Sequence, residues 1–167
     1  DGTPFVLIGG GSNLVVSDEG LDAVVVRFVS PFPLIERHDY EITVSGGTSL
    51  DALALHMVEE GLEGLNYTTG IPGTVGGAVV GNAGAWGKQV GDVLKSATIL
   101  DHKGNARTVG PDYFAFAYRH SRLKKTNEIV LDVTFALKPG DCVALATERA
   151  AILKTRAEKH PDLVTHP

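Results

Sequence analysis

The chain has 167 residues, with 15 Lys and Arg against 20 Asp and Glu, and a formal net charge of −5. That length suits one compact domain or two small subdomains on a shared core, and 43% apolar with 21% charged residues excludes a disordered chain. The mild acidity argues against a nucleic-acid or anionic-membrane surface, the single Cys142 excludes an internal disulfide framework, and no apolar run reaches the ~18 residues of a membrane span.

Residues 5–9 form a continuous apolar run ending in glycine, which predicts a buried strand leading into a loop. Residues 21–28, with Val24-Val25-Val26, predict a second strand; Pro31-Phe32-Pro33 interrupts, and residues 40–44 predict a third. Thr48 reads as the start of a helix with Asp51 as the acidic partner of its cap. Leu50, Leu53, Met57 and Val58 share one face of that helix, and Gly61 is placed to end it. Residues 66–87 have no clean period and predict irregular chain. Strand character returns over Leu94–Leu100, the Asp101-His102-Lys103-Gly104 turn predicts a hairpin, and Ala106–Val109 is its partner. Pro111 and Asp112 open a short helix or turn toward Tyr118. Residues 128–137 set Ile129, Leu131, Val133 and Phe135 on one side of a half-buried strand. Asp141 caps a last helix broken at Pro161, with Glu148, Arg149, Lys154, Arg156, Glu158 and Lys159 as its solvated face. There is no internal repeat, and strands flank isolated helices without βαβ alternation, so the class is α+β.

Glycine carries the chemical information. Of 20 glycines, three stand at Gly9-Gly10-Gly11 and seven between Gly70 and Gly87. In Ile8-Gly9-Gly10-Gly11-Ser12-Asn13-Leu14-Val15, successive glycines after a strand let backbone N–H groups converge on phosphate oxygens, with Ser12 and Asn13 as further donors. The loop lacks the third glycine of a Rossmann fingerprint and the Gly-Lys-Ser/Thr of a Walker loop, and an ordinary tight turn is the alternative. The stretch Gly70-Ile71-Pro72-Gly73-Thr74-Val75-Gly76-Gly77, continued by Gly81-Asn82-Ala83-Gly84-Ala85-Trp86-Gly87, allows a large flat ligand close to the backbone. Its alternative is a glycine-packed turn that supports the fold. Tyr118-Arg119-His120-Ser121-Arg122 offers a guanidinium for a substrate carboxylate, or else is an exposed basic turn. His38, His56, His102, His160 and His166 lie far apart without ligand spacing, so no metal site is expected.

Jointly these motifs, with Gly61-Leu62-Glu63-Gly64-Leu65, resemble the UDP-N-acetylenolpyruvoylglucosamine reductase family in order and spacing, from about residue 5 to the end. The resemblance implies an FAD-binding domain of the p-cresol methylhydroxylase/vanillyl-alcohol oxidase type with two subdomains. Residues 1–30 would be the remainder of the first, and 31–167 the second with the start of a connection to a substrate-binding domain. It implies non-covalent FAD held by Gly9, Gly10, Gly11, Ser12, Asn13, Leu14, Gly70, Ile71, Pro72, Gly73, Thr74, Val75, Gly76, Gly77, Asn82, Gly84, Ala85 and Ile129, with NADPH as reductant. The implied reaction delivers hydride from flavin N5 to the enolpyruvyl double bond of a nucleotide sugar, giving UDP-N-acetylmuramate for peptidoglycan. By the same resemblance Arg119 is catalytic: it binds the substrate carboxylate and stabilises the enolate-like charge that develops, while Tyr118 lines the pocket. A cytoplasmic monomer with a small-molecule substrate and no nucleic-acid or membrane partner is expected.

Three features depart from the family pattern. The chain starts almost at the glycine-rich strand, and it stops before the domain whose Gly-Ser-x-Phe-Lys-Asn-Pro motif and late glutamate complete the chemistry. Trp86 stands where the family usually has Tyr. The short path from Arg119 to the last helix fits the branch without an extra tyrosine-bearing loop. The expectation is a flavin domain that does not turn over substrate alone. A flavin-dependent oxidase of the same fold and a non-catalytic nucleotide-binding module are the alternatives.

Overall fold

Alternating apolar residues build the centre of the computed structural model, which describes residues 3–159. The elements in chain order are β1 (Phe5–Ile8), β2 (Val24–Arg27), β3 (Ile35–His38), β4 (Glu41–Ser45), α1 (Leu50–Glu59), β5 (Leu62–Glu63), α2 (Val75–Val80), β6 (Gly84–Ala85) and β7 (Lys88–Gln89). They continue with β8 (Leu94–Leu100), β9 (Ala106–Val109), α3 (Pro111–Phe114), α4 (Leu123–Thr126), β10 (Ile129–Ala136), β11 (Lys138–Pro139) and α5 (Cys142–Lys159). An antiparallel sheet in the order β3-β4-β10-β8-β9 carries the core. Its buried Ile42, Val44, Ala97, Ile99, Val133 and Phe135 pack with Leu50, Leu53 and Met57 of α1 and Val75 and Val79 of α2.

The hairpin β8–β9 and the apolar face of α1 follow the sequence reading. Other expectations are corrected. The cap of α1 is Ser49, whose hydroxyl accepts from the Ala52 N–H at 3.4 Å. Asp51 does not cap; its carboxylate accepts from the Gly70 N–H at 2.8 Å and from the Arg149 guanidinium at 2.9 and 3.0 Å. Residues 35–38 form β3, which pairs with β4 and was not predicted. Within the stretch expected to be irregular, α2 forms because the Thr74 hydroxyl accepts from the Gly77 N–H at 3.2 Å and caps it.

Two strands differ in burial from the reading. β1 pairs in parallel only with β2, and Phe5 and Val6 are 61% and 40% exposed instead of buried, because no other described element pairs with this ribbon. In β10 the register against β8 slips between Val130 and Asp132. Leu131 drops out of the ladder as a bulge and its carbonyl accepts from the Gly46 N–H at 2.8 Å. The buried set is therefore Val130, Val133, Phe135 and Leu137, while Ile129 and Leu131 are only half-buried and do not share a face with Val133 and Phe135.

Helix α5 begins as expected, with the Asp141 carboxylate accepting from the Ala144 N–H at 2.8 Å; Pro161 lies outside the described residues. Its charges are not all solvated, because the helix packs against α1. Arg149 is 12% exposed, paired with Asp51 and donating to Thr69 Oγ1 at 3.1 Å, and Glu148 accepts from the amide of Asn66.

A second carboxylate fastens the chain around residues 107–128. Glu128, with its side chain 6% exposed, accepts from Arg107 Nη2 at 2.6 Å, from the Tyr113 hydroxyl at 2.8 and 3.0 Å and from Thr126 Oγ1 at 2.7 Å. The guanidinium groups of Arg107 and Arg122 lie 5.2 and 4.8 Å from the centre of the Tyr113 ring. Burial pushes the Glu128 carboxyl up, but the donors from Thr126, Tyr113 and Arg107 outweigh it and hold the group below its ordinary value of 4.5. A depressed folded-state value gives stability that is present above pH 4.5 and lost as pH falls through that lower value. Glu128→Gln is expected to cost about 2 kcal/mol at neutral pH and to flatten the acid loss of stability. Denaturant melts of both chains at neutral and acid pH check this. Asp51 contributes the same slope to both chains, so the difference between them reports Glu128.

Candidate functional site

The two glycine-rich stretches meet in space but are built differently. A Cβ added to Gly9 would lie 2.6 Å from Thr74 Oγ1, so this approach requires a residue without a side chain. Beside it, Ser12 Oγ donates to the Pro72 carbonyl at 3.2 Å. Among the described residues, the N–H groups of residues 10–14 donate to no protein acceptor. In the second stretch the N–H groups are committed within the chain: Val75 donates to the Thr48 carbonyl at 2.9 Å, Gly76 to the Gly46 carbonyl at 2.8 Å and Gly77 to Thr74 Oγ1 at 3.2 Å. Open donors over Gly10, Gly11, Ser12, Asn13 and Leu14, in a loop pressed against Gly73 and Thr74, fit the diphosphate of a dinucleotide. In the second stretch Val75 and Gly76 bind the loop to residues 46–48, and Gly77 donates to the capping Thr74.

Two tight turns stand on the far side of α2. Strands β6 and β7 are joined through Trp86 and Gly87, both with left-handed backbone (φ 51° and 76°). Ala117 and His120 exchange two backbone hydrogen bonds of 3.1 Å, which puts Tyr118 and Arg119 at the tip of the other turn. Arg119 has φ 53°, its carbonyl accepts from Lys124 Nζ at 2.7 Å, and Tyr118 is 90% exposed. Between these turns and α5 lies an open cavity of about 350 Å³ lined by Ile71, Gly84, Ala85, Trp86, Arg119, Thr155, Arg156 and Lys159. Three of these are cations and none is a carboxylate. The Arg156 guanidinium sits 5.1 Å from the centre of the Trp86 ring. Burial lowers the pKa of Arg156 and the nearby Asp51 charge works to raise it again.

Of the predicted site residues, Ile71, Gly84, Ala85 and Arg119 share this cavity, and residues 9–14 with Pro72, Gly73 and Thr74 form the adjoining cradle. Gly70 leads into the cavity wall with its N–H held by Asp51. Ile129 is half-buried at the start of β10 opposite Leu100 and does not line the cavity. Asn82 is 2% exposed and its amide faces the protein, donating to Gln89 Oε1 at 2.8 Å and the Ala117 carbonyl at 3.0 Å and accepting from the Gly91 N–H at 3.0 Å. Sequence reasoning missed Thr155, Arg156 and Lys159. Part of the signal was available: Leu145, Arg149, Ile152 and Arg156 recur at steps of three and four, so Arg149 and Arg156 continue the buried stripe of α5, while Lys159 one step on is exposed.

A family model described as FAD binding domain matches residues 1–110. The chain is 40% identical over 158 residues to UDP-N-acetylenolpyruvoylglucosamine reductase 2 of Symbiobacterium thermophilum, covering 95% of this chain and 51% of that protein. It is 35% identical over 160 residues to the corresponding reductase of Geobacillus kaustophilus, covering 96% and 52%. Among solved structures it is similar to the reductase (MurB) of Thermus caldophilus, with 32% identity, a TM-score of 0.82 and coverage of 96% of this chain and 58% of that one. Glucooligosaccharide oxidase of Acremonium strictum shares the fold at 19% identity and a TM-score of 0.57, over 83% of this chain and 30% of that one. The chain spans about half the length of the curated relatives it matches. The expected α+β fold of the p-cresol methylhydroxylase/vanillyl-alcohol oxidase type is therefore the fold observed, and the chain belongs to the FAD-binding-domain family.

Proposed function

We propose that this chain is the flavin-binding part of a cytoplasmic UDP-N-acetylenolpyruvoylglucosamine reductase, which uses NADPH to reduce the enolpyruvyl group of its nucleotide-sugar substrate and so supplies UDP-N-acetylmuramate for peptidoglycan. The observation that carries this reading is that the Arg119 turn borders a cavity whose charged lining among the described residues is Arg119, Arg156 and Lys159, while the segment from Ile71 to Thr74 runs from that cavity to the glycine cradle. A substrate with a carboxylate and a diphosphate matches that lining in sign. Bound FAD would supply the hydride from N5. The N–H groups of residues 10–14 hold the diphosphate of the cofactor, and Gly84 and Ala85 form a wall without bulky side chains. Arg119 binds the substrate carboxylate and stabilises the negative charge that develops after hydride addition. Tyr118 borders the carboxylate pocket from outside. In this reading residues 1–30 are the remainder of the first subdomain and 31–167 the second with the start of a connection to a substrate-binding domain, the cofactor lying between the two subdomains.

The test is an absorption scan of the purified chain, before and after addition of FAD and desalting. A retained flavin spectrum, with no formation of UDP-N-acetylmuramate by the 167 residues alone, is the expected result. A folded chain that keeps no flavin, or one that makes product unaided, counts against it.

A further inference from the structure

Helix α2 touches both halves of the candidate site. At its start, Thr74 caps the helix and meets Gly9 of the cradle. Its other end grips the Arg119 turn at two points. The Val80 carbonyl accepts from Ser121 Oγ at 2.7 Å, and Asn82 Nδ2 donates to the Ala117 carbonyl at 3.0 Å. Ala117 and Ser121 stand on either flank of the turn, whose base is closed by the paired hydrogen bonds of Ala117 and His120. Asn82 and Ser121 are 2% and 0% exposed, so neither reaches a ligand in the cavity. The Asn82 amide cannot swing away, because Gln89 and Gly91 hold its remaining donor and its oxygen. Six residues of helix rise about 9 Å, and this rigid length separates the cradle from the turn.

We propose that Asn82 and Ser121 are positioning residues that hold Arg119 at a set distance from the bound cofactor, acting through Ala117 and Val80. The inference rests on the reading of Arg119 as the group that binds the substrate carboxylate.

The experiment uses the full-length FAD-loaded reductase and the enolpyruvyl nucleotide sugar without NADPH, so that binding is read by calorimetry and by the shift in flavin absorption. Asn82→Asp keeps the size of the side chain and the acceptor for Gly91 but turns an oxygen toward the Ala117 carbonyl. It is expected to weaken substrate binding roughly tenfold or more while the FAD-to-protein ratio stays native. Ser121→Ala is expected to act in the same direction, and it decides alone if Asn82→Asp does not fold. In an Arg119→Ala background neither substitution weakens binding further, because the group they position is gone. An undiminished loss in that background overturns the proposal, as does loss of FAD from Asn82→Asp, which would make Asn82 a cofactor residue. Native substrate affinity in Arg119→Ala by itself overturns the reading of Arg119 and the proposal with it. The two failures differ in which single variant is silent.

Discussion

On the proposed reading of this chain as the flavin-binding part of a reductase, Arg119→Ala in the full-length protein is expected to lower turnover roughly 10²- to 10³-fold while flavin content and spectrum stay native. Arg119 borders the cavity, and no carboxylate among the described lining residues competes for it. Its backbone is held in a left-handed conformation that costs a non-glycine residue on the order of 1 kcal/mol or more, and the Ala117–His120 pair and the Lys124 hydrogen bond keep it there. Such strain at a cavity edge fits a side chain whose direction matters. Arg119→Lys should recover only part of the rate, because an ammonium keeps the charge but not the two-pronged fit to a carboxylate. Steady-state turnover of both variants, with flavin absorbance as the check on cofactor content, measures this. Native rates in both would remove Arg119 from the mechanism.

Gly46→Ala is expected to destabilise the chain by about 3 kcal/mol or more, or to prevent folded protein from accumulating. An ideal Cβ at this position lies 2.2 Å from the Val130 carbonyl oxygen and 3.1 Å from its carbon. The clash is with backbone, so no flexible side chain can move aside. Gly46 is also fixed on both of its own polar groups, donating to Leu131 and accepting from Gly76, each at 2.8 Å. Gly104→Ala is the comparison. That glycine sits in the exposed β8–β9 turn at φ 83° with no atom within 4 Å of an added Cβ, and its replacement should cost only about 1 kcal/mol from the backbone conformation. Equal losses in denaturant melts of the two variants would refute the packing account of Gly46.

What could be read in advance follows from the range of the forces involved. The hairpin at Asp101–Gly104 and the apolar face of α1 depend on neighbours in sequence, and both were legible. The segment Ile35–His38 has one apolar residue in four, so β3 owes its place to pairing with β4. The helix α2 holds two glycines in six residues, each costing about 1 kcal/mol relative to Ala, and only its cap and its contacts with residues 46–48 make it helical. The one-residue bulge at Leu131 exchanges the faces of β10, which no alternation reveals. At the candidate site, the sequence singled out the glycine loop, which packs against Gly73 and Thr74, and Arg119, which borders the cavity; Tyr118 beside it is exposed. Arg156 was passed over because charge suggested solvent where helical period pointed inward, and Lys159 is exposed and lines the cavity only through its place at the end of α5. Asn82 was read as a ligand group because of its neighbours in sequence, and its amide turns toward Ala117 instead.

The brevity of α2 limits how this region can change over evolutionary time. One residue inserted into the helix would turn everything beyond it by about 100° and push it about 1.5 Å further along the axis. Val80 would then aim its carbonyl away from Ser121, and Asn82 would no longer face Ala117. Substitutions along the outer face of this segment can accumulate one at a time, but a change of length must be compensated at both ends at once. Variation in chain length is therefore expected at the β8–β9 turn and not between Thr74 and Asn82.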